Sequence, residues 1–153
     1  MSSRRRVRIV HPENIPPDET WERIYGFGQA LRENSREADL QTACEETAAR
    51  YGWTVYHETD SRKSPKGLPD LIMLSPIQRD GSVVLAMIEL KSSKGKLTEE
   101  QEIWQTKLGM VDRLVTGVLR PAGWLHFVAL CYDPLTATDV DTKEYQRDGS
   151  PQT

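Results

Sequence analysis

The chain reads PDLIMLS at residues 69–75 and VVLAMIELK at residues 83–91. The first stretch is apolar after its opening Pro-Asp, and the second is an almost unbroken apolar run that ends in Glu-Leu-Lys. An apolar run of this kind is typical of a central strand that is covered on both faces. A turn with proline and glycine at 76–81 separates the two stretches. The sequence therefore predicts two neighbouring strands within one sheet.

Helices and further strands are predicted on both sides of this strand pair. Small and apolar residues at three-and-four spacing indicate the first helix, with Ser35 as its cap and Gly52 beyond its end. The predicted elements are a helix at 36–51, strands at 53–59, 70–75, 83–91 and 113–119, and helices at 99–109 and 121–130. The order α-β-β-β-α-β-α predicts an α/β fold with a central mixed β-sheet flanked by helices.

The length of 153 residues favours one domain, which we expect at 35–132. Residues 1–34 are predicted to form an N-terminal arm, of which residues 1–20, basic and then proline-rich, are expected to be extended or disordered. A short helix is expected at 20–32, broken or delayed by Gly26 and Gly28. The polar tail at 133–153 is expected to be loose.

The composition excludes several classes of protein. The net charge of −3 argues against binding of nucleic acid by bulk charge, although clustered carboxylates can mask local basic groups. No apolar run approaches the roughly 18–20 residues of a membrane helix, and no apolar stretch follows the N-terminal arginines as in a secretory signal. We therefore expect a cytoplasmic protein without a membrane partner. Cys44 and Cys131 lack the spacing of a zinc site, so they are expected to be buried, reduced thiols.

Three charged residues lie at the ends of the two apolar strands. Side chains alternate across a strand, so Glu89 and Lys91 share one face of the central strand. Asp70 begins the preceding strand, and pairing of the two strands would bring it close to Glu89. Two carboxylates at close range repel each other, and a divalent cation such as Mg²⁺ resolves that conflict. The simpler interpretation is a surface ion pair of Glu89 and Lys91, with Asp70 as a turn residue.

Such a group has the parts that phosphodiester hydrolysis needs. A metal lowers the pKa of a bound water and polarises a phosphoryl oxygen. The Lys91 ammonium can act on the attacking water or on the developing negative charge.

Two helical residues are candidates for the same site. Glu37 lies on or beside the buried stripe of the first helix, as an inward carboxylate or as a first-turn acid that favours the helix dipole. Gln101 lies on the stripe of the helix at 99–109. It is either an inward side chain or the partner of Thr98 in a capping box, and the sequence leaves both readings open.

Basic residues near the predicted site are candidates for binding DNA phosphates, with a plain solvated surface as the alternative. The candidates are Ser61, Arg62, Lys63, Lys66, Lys94 and Lys96. Arg120 is either a substrate contact or a helix-end charge, and the sequence does not separate the two.

Several stretches of the chain resemble, in order and with small gaps, the VRR-NUC domain (virus-type replication-repair nuclease) of the PD-(D/E)XK nuclease superfamily. The stretches are 37–41, 52–57, 60–62, 67–72, 88–91, 95–101 and 119–121, followed by Trp124. The resemblance covers about 35–130 and implies a restriction-endonuclease-like core. It also implies that Lys91 is catalytic and that Gln101 supports the active site. The metal ligands that it implies are Glu37, Asp70, Glu89 and the Leu90 carbonyl.

Single-domain proteins of this kind resemble phage and bacterial enzymes that act as homodimers on branched DNA, including four-way junctions. The resemblance therefore implies a Mg²⁺- or Mn²⁺-dependent, structure-selective DNA endonuclease, in the cytoplasm of a bacterium or of a phage-infected host cell. One alternative is a nickase or restriction-like nuclease that acts on linear duplex DNA. Another is a DNA-binding module of a replication or packaging complex that does not cleave.

Overall fold

The computed structural model describes residues 6–10, 15–34, 36–57 and 62–141. In these ranges the strands are β1 Arg6–Val10, β2 Thr54–His57, β3 Leu71–Leu74, β4 Leu85–Leu90, β5 Val115–Leu119 and β6 Ala137–Asp141. The α-helices are α1 Trp21–Asn34, α2 Glu37–Arg50, α3 Glu99–Leu108 and α4 Trp124–Tyr132. A 3-10 turn at Pro121–Gly123 leads into α4, and another at Pro134–Thr136 follows it.

Four strands form one mixed sheet in the order β2-β3-β4-β5. The β2–β3 and β3–β4 pairs are antiparallel, whereas β4 and β5 run parallel. A parallel pair needs a crossover connection, and α3 lies within the segment that joins these two strands. The prediction of an α/β fold with a mixed sheet flanked by helices is therefore confirmed.

The hydrophobic core lies between this sheet and the helices α2 and α4. Alternate residues of the central strands are buried, among them Leu71 and Met73 on β3 and Ala86 and Ile88 on β4. They belong to one cluster with the buried residues of the two helices, which are Leu40, Ala43, Cys44, Ala48, Trp124, Phe127, Val128, Ala129, Leu130 and Cys131. The strands that carry the charged candidates are therefore anchored on a buried face.

The two cysteines behave as the sequence predicts. Cys44 and Cys131 are free and buried, and burial raises the pKa of both thiols above its ordinary value. The Trp53 indole also donates a hydrogen bond to the Cys131 carbonyl over 2.9 Å, which ties the end of α4 to the start of β2.

The predicted helices and strands of the central region are present with small differences in their limits. The first helix begins at Glu37, and its N-cap is Arg36, whose backbone N–H donates to Asp39 over 3.0 Å. Ser35, the predicted cap, lies outside the described residues. The last helix is preceded by the 3-10 turn at Pro121–Gly123 and continues to Tyr132, because the mostly apolar sequence Trp124–Tyr132 contains no glycine or proline.

The helix predicted at 20–32 is not interrupted by its glycines. It extends over α1 and includes both Gly26 and Gly28. A Cβ added at Gly28 would lie 3.2 Å from the Trp124 Cβ and 3.4 Å from the Pro121 carbonyl oxygen. Gly28 therefore lets α1 approach the start of α4 closely, and this packing outweighs the low helix propensity of glycine.

An antiparallel pair of strands joins the two flanks of the chain. The strand β1 pairs with β6, with Val7 opposite Val140. Neither strand was predicted, and the expectation of a loose tail is wrong for residues 137–141. Arginine alternates with valine and isoleucine at 6–10, which is a strand-like pattern. The partner strand lies more than 120 residues further along the chain, so the local sequence does not indicate the pairing.

Candidate active site

Asp70 and Glu89 meet because of the register between β3 and β4. Leu71 pairs with Ile88 in this antiparallel ladder, so one further step places Asp70 opposite Glu89. The Asp70 Oδ2 accepts a hydrogen bond from the Leu90 backbone N–H over 2.8 Å. This bond fixes the Asp70 carboxyl at the end of β4, as the sequence predicts.

Glu89 is a buried acid with an incomplete set of hydrogen bonds. The residue is only 2% exposed. Its Oε1 accepts from Gln101, whereas no hydrogen-bond donor in the described part of the chain reaches its buried Oε2. Burial raises the pKa of Glu89 from its usual value near 4.5 to about 9, and the hydrogen bonding and charge of Asp70 add to the shift. A shared proton, a bound water or a cation would complete this acid pair.

Gln101 fulfils both roles that the sequence left open. Its Oε1 accepts from the Thr98 backbone N–H over 2.9 Å, and its own N–H donates to the Thr98 hydroxyl over 3.2 Å. These bonds form the capping box at the start of α3. Because the carbonyl oxygen is used in the cap, the Nε2 group is directed to Glu89 Oε1 at 2.9 Å. The helix cap therefore orients the residue that holds Glu89.

Lys91 follows β4 and lies beside the acid pair. Its backbone N–H donates to the Leu119 carbonyl over 3.0 Å, which extends the contact of β4 with β5. The Lys91 side chain is 12% exposed, and its Nζ lies 3.9 Å from Glu37 Oε1. The charge of Lys91 lowers the pKa of Glu89, while that of Glu37 raises it. The mostly buried Lys91 side chain thus places its ammonium within electrostatic reach of the Glu37 and Glu89 carboxyls.

Glu37 is placed differently from the other two acids. It is the first residue of α2, and its side chain is 51% exposed. Its carboxyl contacts Lys91, and no group of three or more His, Cys, Asp and Glu side chains in the described ranges converges as a metal-binding cluster. The structure therefore brings together Asp70 and Glu89, while the roles of Glu37 and of the Leu90 carbonyl as ligands stay predictions.

The acid pair fits a divalent cation. Mg²⁺ is bound in proteins by one or two carboxylates, and waters fill the rest of its coordination. Asp70 and Glu89 supply two such groups, and within the described ranges the buried Oε2 of Glu89 receives no hydrogen bond. A cation would also remove the repulsion that makes ionisation of Glu89 unfavourable.

The loop before Asp70 is locked onto the helix that carries Gln101. The Trp104 indole donates to the Lys66 carbonyl over 2.9 Å. Gly67 has a φ of +88°, and a Cβ at this position would lie 2.5 Å from the backbone of Glu100. Loop and helix are thus in backbone contact at Gly67, which couples the positions of Asp70 and Gln101.

Gly67→Ala should therefore destabilise the protein by about 2–5 kcal/mol, because a positive φ costs about 1–2 kcal/mol and the clash adds about 1–3 kcal/mol. Thermal unfolding measures the change. Gly81→Ala is the matched control, since Gly81 has a φ of +83° but nothing within 4 Å of the added Cβ. Equal losses of stability in the two variants would contradict the backbone contact.

The basic candidates for DNA contact lie on two loops near the acid pair. Arg62, Lys63 and Lys66 are exposed in the loop before Asp70, and Lys94 and Lys96 are exposed in the loop after Lys91. Ser61 lies outside the described residues. Their exposure is what a phosphate contact requires, and binding of DNA by these residues stays a prediction.

The structure gives Arg120 a defined position that the sequence left open. Its guanidinium Nη1 donates to the Ser92 carbonyl over 2.7 Å and to the Gly95 carbonyl over 2.6 Å. The position of Arg120 follows from the parallel register of β4 and β5. In this register Leu90 is opposite Leu119, so Arg120 comes beside Lys91. No sequence motif signals that register.

A buried acid pair beside a lysine suits hydrolysis of a phosphodiester, so the class of protein to which the site points is a nuclease. Residues 3–112 of the chain match the VRR-NUC domain family. The chain therefore belongs to this family, a nuclease domain family of the PD-(D/E)XK superfamily. The match begins upstream of the predicted 35–132 domain and ends within it, and these domain limits stay predictions.

No protein of curated function and no solved structure matches the chain significantly. In the described part of the chain, none of the helices combines the length and the apolar character that crossing a membrane requires.

Proposed function

We propose that the protein is a Mg²⁺- or Mn²⁺-dependent DNA endonuclease with a restriction-endonuclease-like core, whose site is formed by Asp70, Glu89, Lys91 and Gln101, with Glu37 beside them. The observation that carries the proposal is the buried Glu89 carboxyl, which faces Asp70 and has one oxygen that no donor among the described residues reaches. A buried acid pair is destabilising by itself. Binding of a cation by the pair, and of a DNA phosphate next to Lys91, would explain why these groups lie together.

The residues divide the work of hydrolysis between them. Asp70 and Glu89 would hold the cation, and a bound Mg²⁺ or Mn²⁺ would supply Lewis-acid polarisation of the phosphate and a lower pKa for water. Gln101 keeps the Glu89 carboxyl in place through the cap of α3. The Lys91 ammonium orients the water that attacks the phosphorus in line and offsets the negative charge that develops there.

The substrate that we propose is branched DNA such as a four-way junction, cut by a homodimer in the cytoplasm of a bacterium or of a phage-infected host. This part of the proposal is supported by the resemblance to single-domain relatives. A homodimer also suits a junction, since its two-fold symmetry presents two sites to two symmetry-related strands. The exposed basic residues on the loops at 62–66 and 94–96 are the proposed phosphate contacts.

A panel of labelled DNAs tests the substrate. Four-way junction, flap, linear duplex and single strand of matched sequence are incubated with Mg²⁺, with Mn²⁺ and with EDTA. We expect metal-dependent cutting with the highest kcat/KM on the junction. Preference for linear duplex would contradict branched-DNA selectivity and favour a nickase or restriction-like enzyme. Junction binding without cutting in either metal would contradict the endonuclease and favour a binding module.

A further inference from the structure

The loop that follows the catalytic strand is hydrogen-bonded to a side chain at the end of the neighbouring strand, that of Arg120. Residues 92–95 turn back on themselves, because the Gly95 N–H donates to the Ser92 carbonyl over 3.2 Å. Arg120 donates to that same carbonyl and to the carbonyl of Gly95, both from its Nη1 atom. The two ends of the turn are therefore connected to one guanidinium group at the end of β5.

This loop lies directly against Lys91. A Cβ built on Gly95 would lie 3.3 Å from the Lys91 Cδ, so the Gly95 backbone packs along the aliphatic part of that side chain. The Lys91 ammonium also lies 3.9 Å from Glu37 Oε1 and acts electrostatically on the buried Glu89 carboxyl. The Glu37 side chain is half exposed, so an ion pair of this length constrains the lysine only loosely from that side. The packing of the loop is thus a separate constraint on where Lys91 points.

The register of the sheet places Arg120 on the face where the chemistry is expected. Glu89 is opposite Val118 and Leu90 is opposite Leu119, so Lys91 and Arg120 come next on their two parallel strands. Arg120 has extended backbone angles, with φ −112° and ψ 162°, and the alternation of side chains therefore continues through it. Arg120 leaves its strand on the same face as Glu89 and Lys91.

We propose that Arg120 is a positioning residue for Lys91: its two hydrogen bonds close the 92–95 loop, and the closed loop holds the Lys91 ammonium in its working position. The role of Lys91 in this inference rests on the proposed nuclease function, whereas the closure of the loop by Arg120 does not. Arginine suits the task because its planar guanidinium stays charged and loses little freedom for each hydrogen bond that it forms.

The first test is limited proteolysis without metal or DNA. Trypsin cleaves after Lys94 and Lys96, which lie in and next to the loop. Arg120→Ala should speed the first cut at these two lysines at least about 10-fold, because cleavage follows the population of the opened loop. Arg79→Ala is the matched control, since it removes another guanidinium, 3.8 Å from Asp133, and should leave these cuts at the wild-type rate. A wild-type cutting rate in Arg120→Ala would overturn the proposal.

The second test is kinetic. Arg120→Ala should lower kcat about 10- to 100-fold, since small misplacements of a catalytic group have effects of this size. The Kd for DNA, measured without metal, and the salt dependence of this Kd should stay unchanged. Guanidinium ions at non-denaturing concentrations should restore part of the cleavage rate. A raised Kd, a salt slope reduced by about one and an unchanged kcat would instead make Arg120 a direct phosphate contact and overturn the positioning role.

Arg120→Lys covers the case in which the alanine variant does not fold. The lysine ammonium ends about one bond short of the Nη1 position, so it cannot hold both carbonyls. For Arg120→Lys we expect faster tryptic cutting of the loop and a lower kcat, with both changes smaller than in Arg120→Ala. A wild-type cutting rate and a wild-type kcat would again overturn the proposal. If wild-type protein cuts no DNA at all, the nuclease function fails, while the proteolysis result still decides whether Arg120 closes the loop.

Discussion

Replacing Lys91 with alanine should lower kcat for DNA cleavage about 100- to 1000-fold, which is the usual effect of removing one group that stabilises the transition state. The Lys91 side chain is only 12% exposed and lies beside a buried acid pair, so its charge acts where solvent screening is weak. The KM should change little, because the ammonium acts on charge that develops during the reaction. Single-turnover rates at saturating protein, measured with Mg²⁺, give the effect.

Lys94→Ala is the matched control for this variant. Lys94 lies three residues further along the same segment, but it is exposed, whereas the Lys91 side chain is only 12% exposed. We expect a weaker Kd with a smaller salt slope and a kcat within a few-fold of wild type. A Lys91→Ala enzyme with wild-type kcat, or a Lys94→Ala enzyme with the larger loss of kcat, would contradict the assignment of the catalytic lysine.

Glu89→Gln should make the metal-free protein more stable at pH 8 than the wild type. The pKa of Glu89 is near 4.5 when exposed and about 9 in the fold. Its contribution to stability is therefore fully present below pH 4.5 and is lost as the pH rises toward 9, because the unfolded chain releases the proton more readily. Glutamine does not ionise, and it can still accept the hydrogen bond from Gln101.

We expect a gain of about 1–3 kcal/mol, the usual cost of an unsatisfied buried polar group, or about 3–10 °C in Tm for a chain of this size. The difference between variant and wild type should grow between pH 5 and pH 8.5. Adding Mg²⁺ or Mn²⁺ should raise the Tm of the wild type and leave that of Glu89→Gln almost unchanged. A variant that is less stable than wild type at pH 8 without metal would contradict the buried acid pair.

The strands and the acid pair were predictable because their signals are local. Apolar runs and turn residues define β3 and β4, and the charges at their ends indicated that Asp70 and Glu89 meet. The register that confirms this meeting places Leu71 opposite Ile88. The capping box was likewise readable from the spacing of Thr98 and Gln101.

The features that were not predictable depend on contacts between distant parts of the chain. Gln101 accepts a hydrogen bond in the cap of α3 and also donates one to Glu89. Only the position of α3 next to the end of β4 shows that one side chain can make both hydrogen bonds. The parallel register of β5 places Arg120, and the β1–β6 pair joins segments from opposite ends of the sequence. Glycine propensity misled the prediction for α1, because close packing at Gly28 was not visible in the sequence.

Cleavage of the DNA panel by Asp70→Asn and by wild type tests the central claim most directly. Asparagine keeps an oxygen that can accept the hydrogen bond from Leu90, so the fold should persist with an unchanged unfolding curve. Wild type should cleave DNA with Mg²⁺ or Mn²⁺ and should not cleave it in EDTA. Asp70→Asn should cleave at least about 100-fold more slowly than wild type with either metal. Equal cutting by the two proteins, or cutting by wild type that persists in EDTA, would contradict a metal-dependent nuclease site at Asp70 and Glu89.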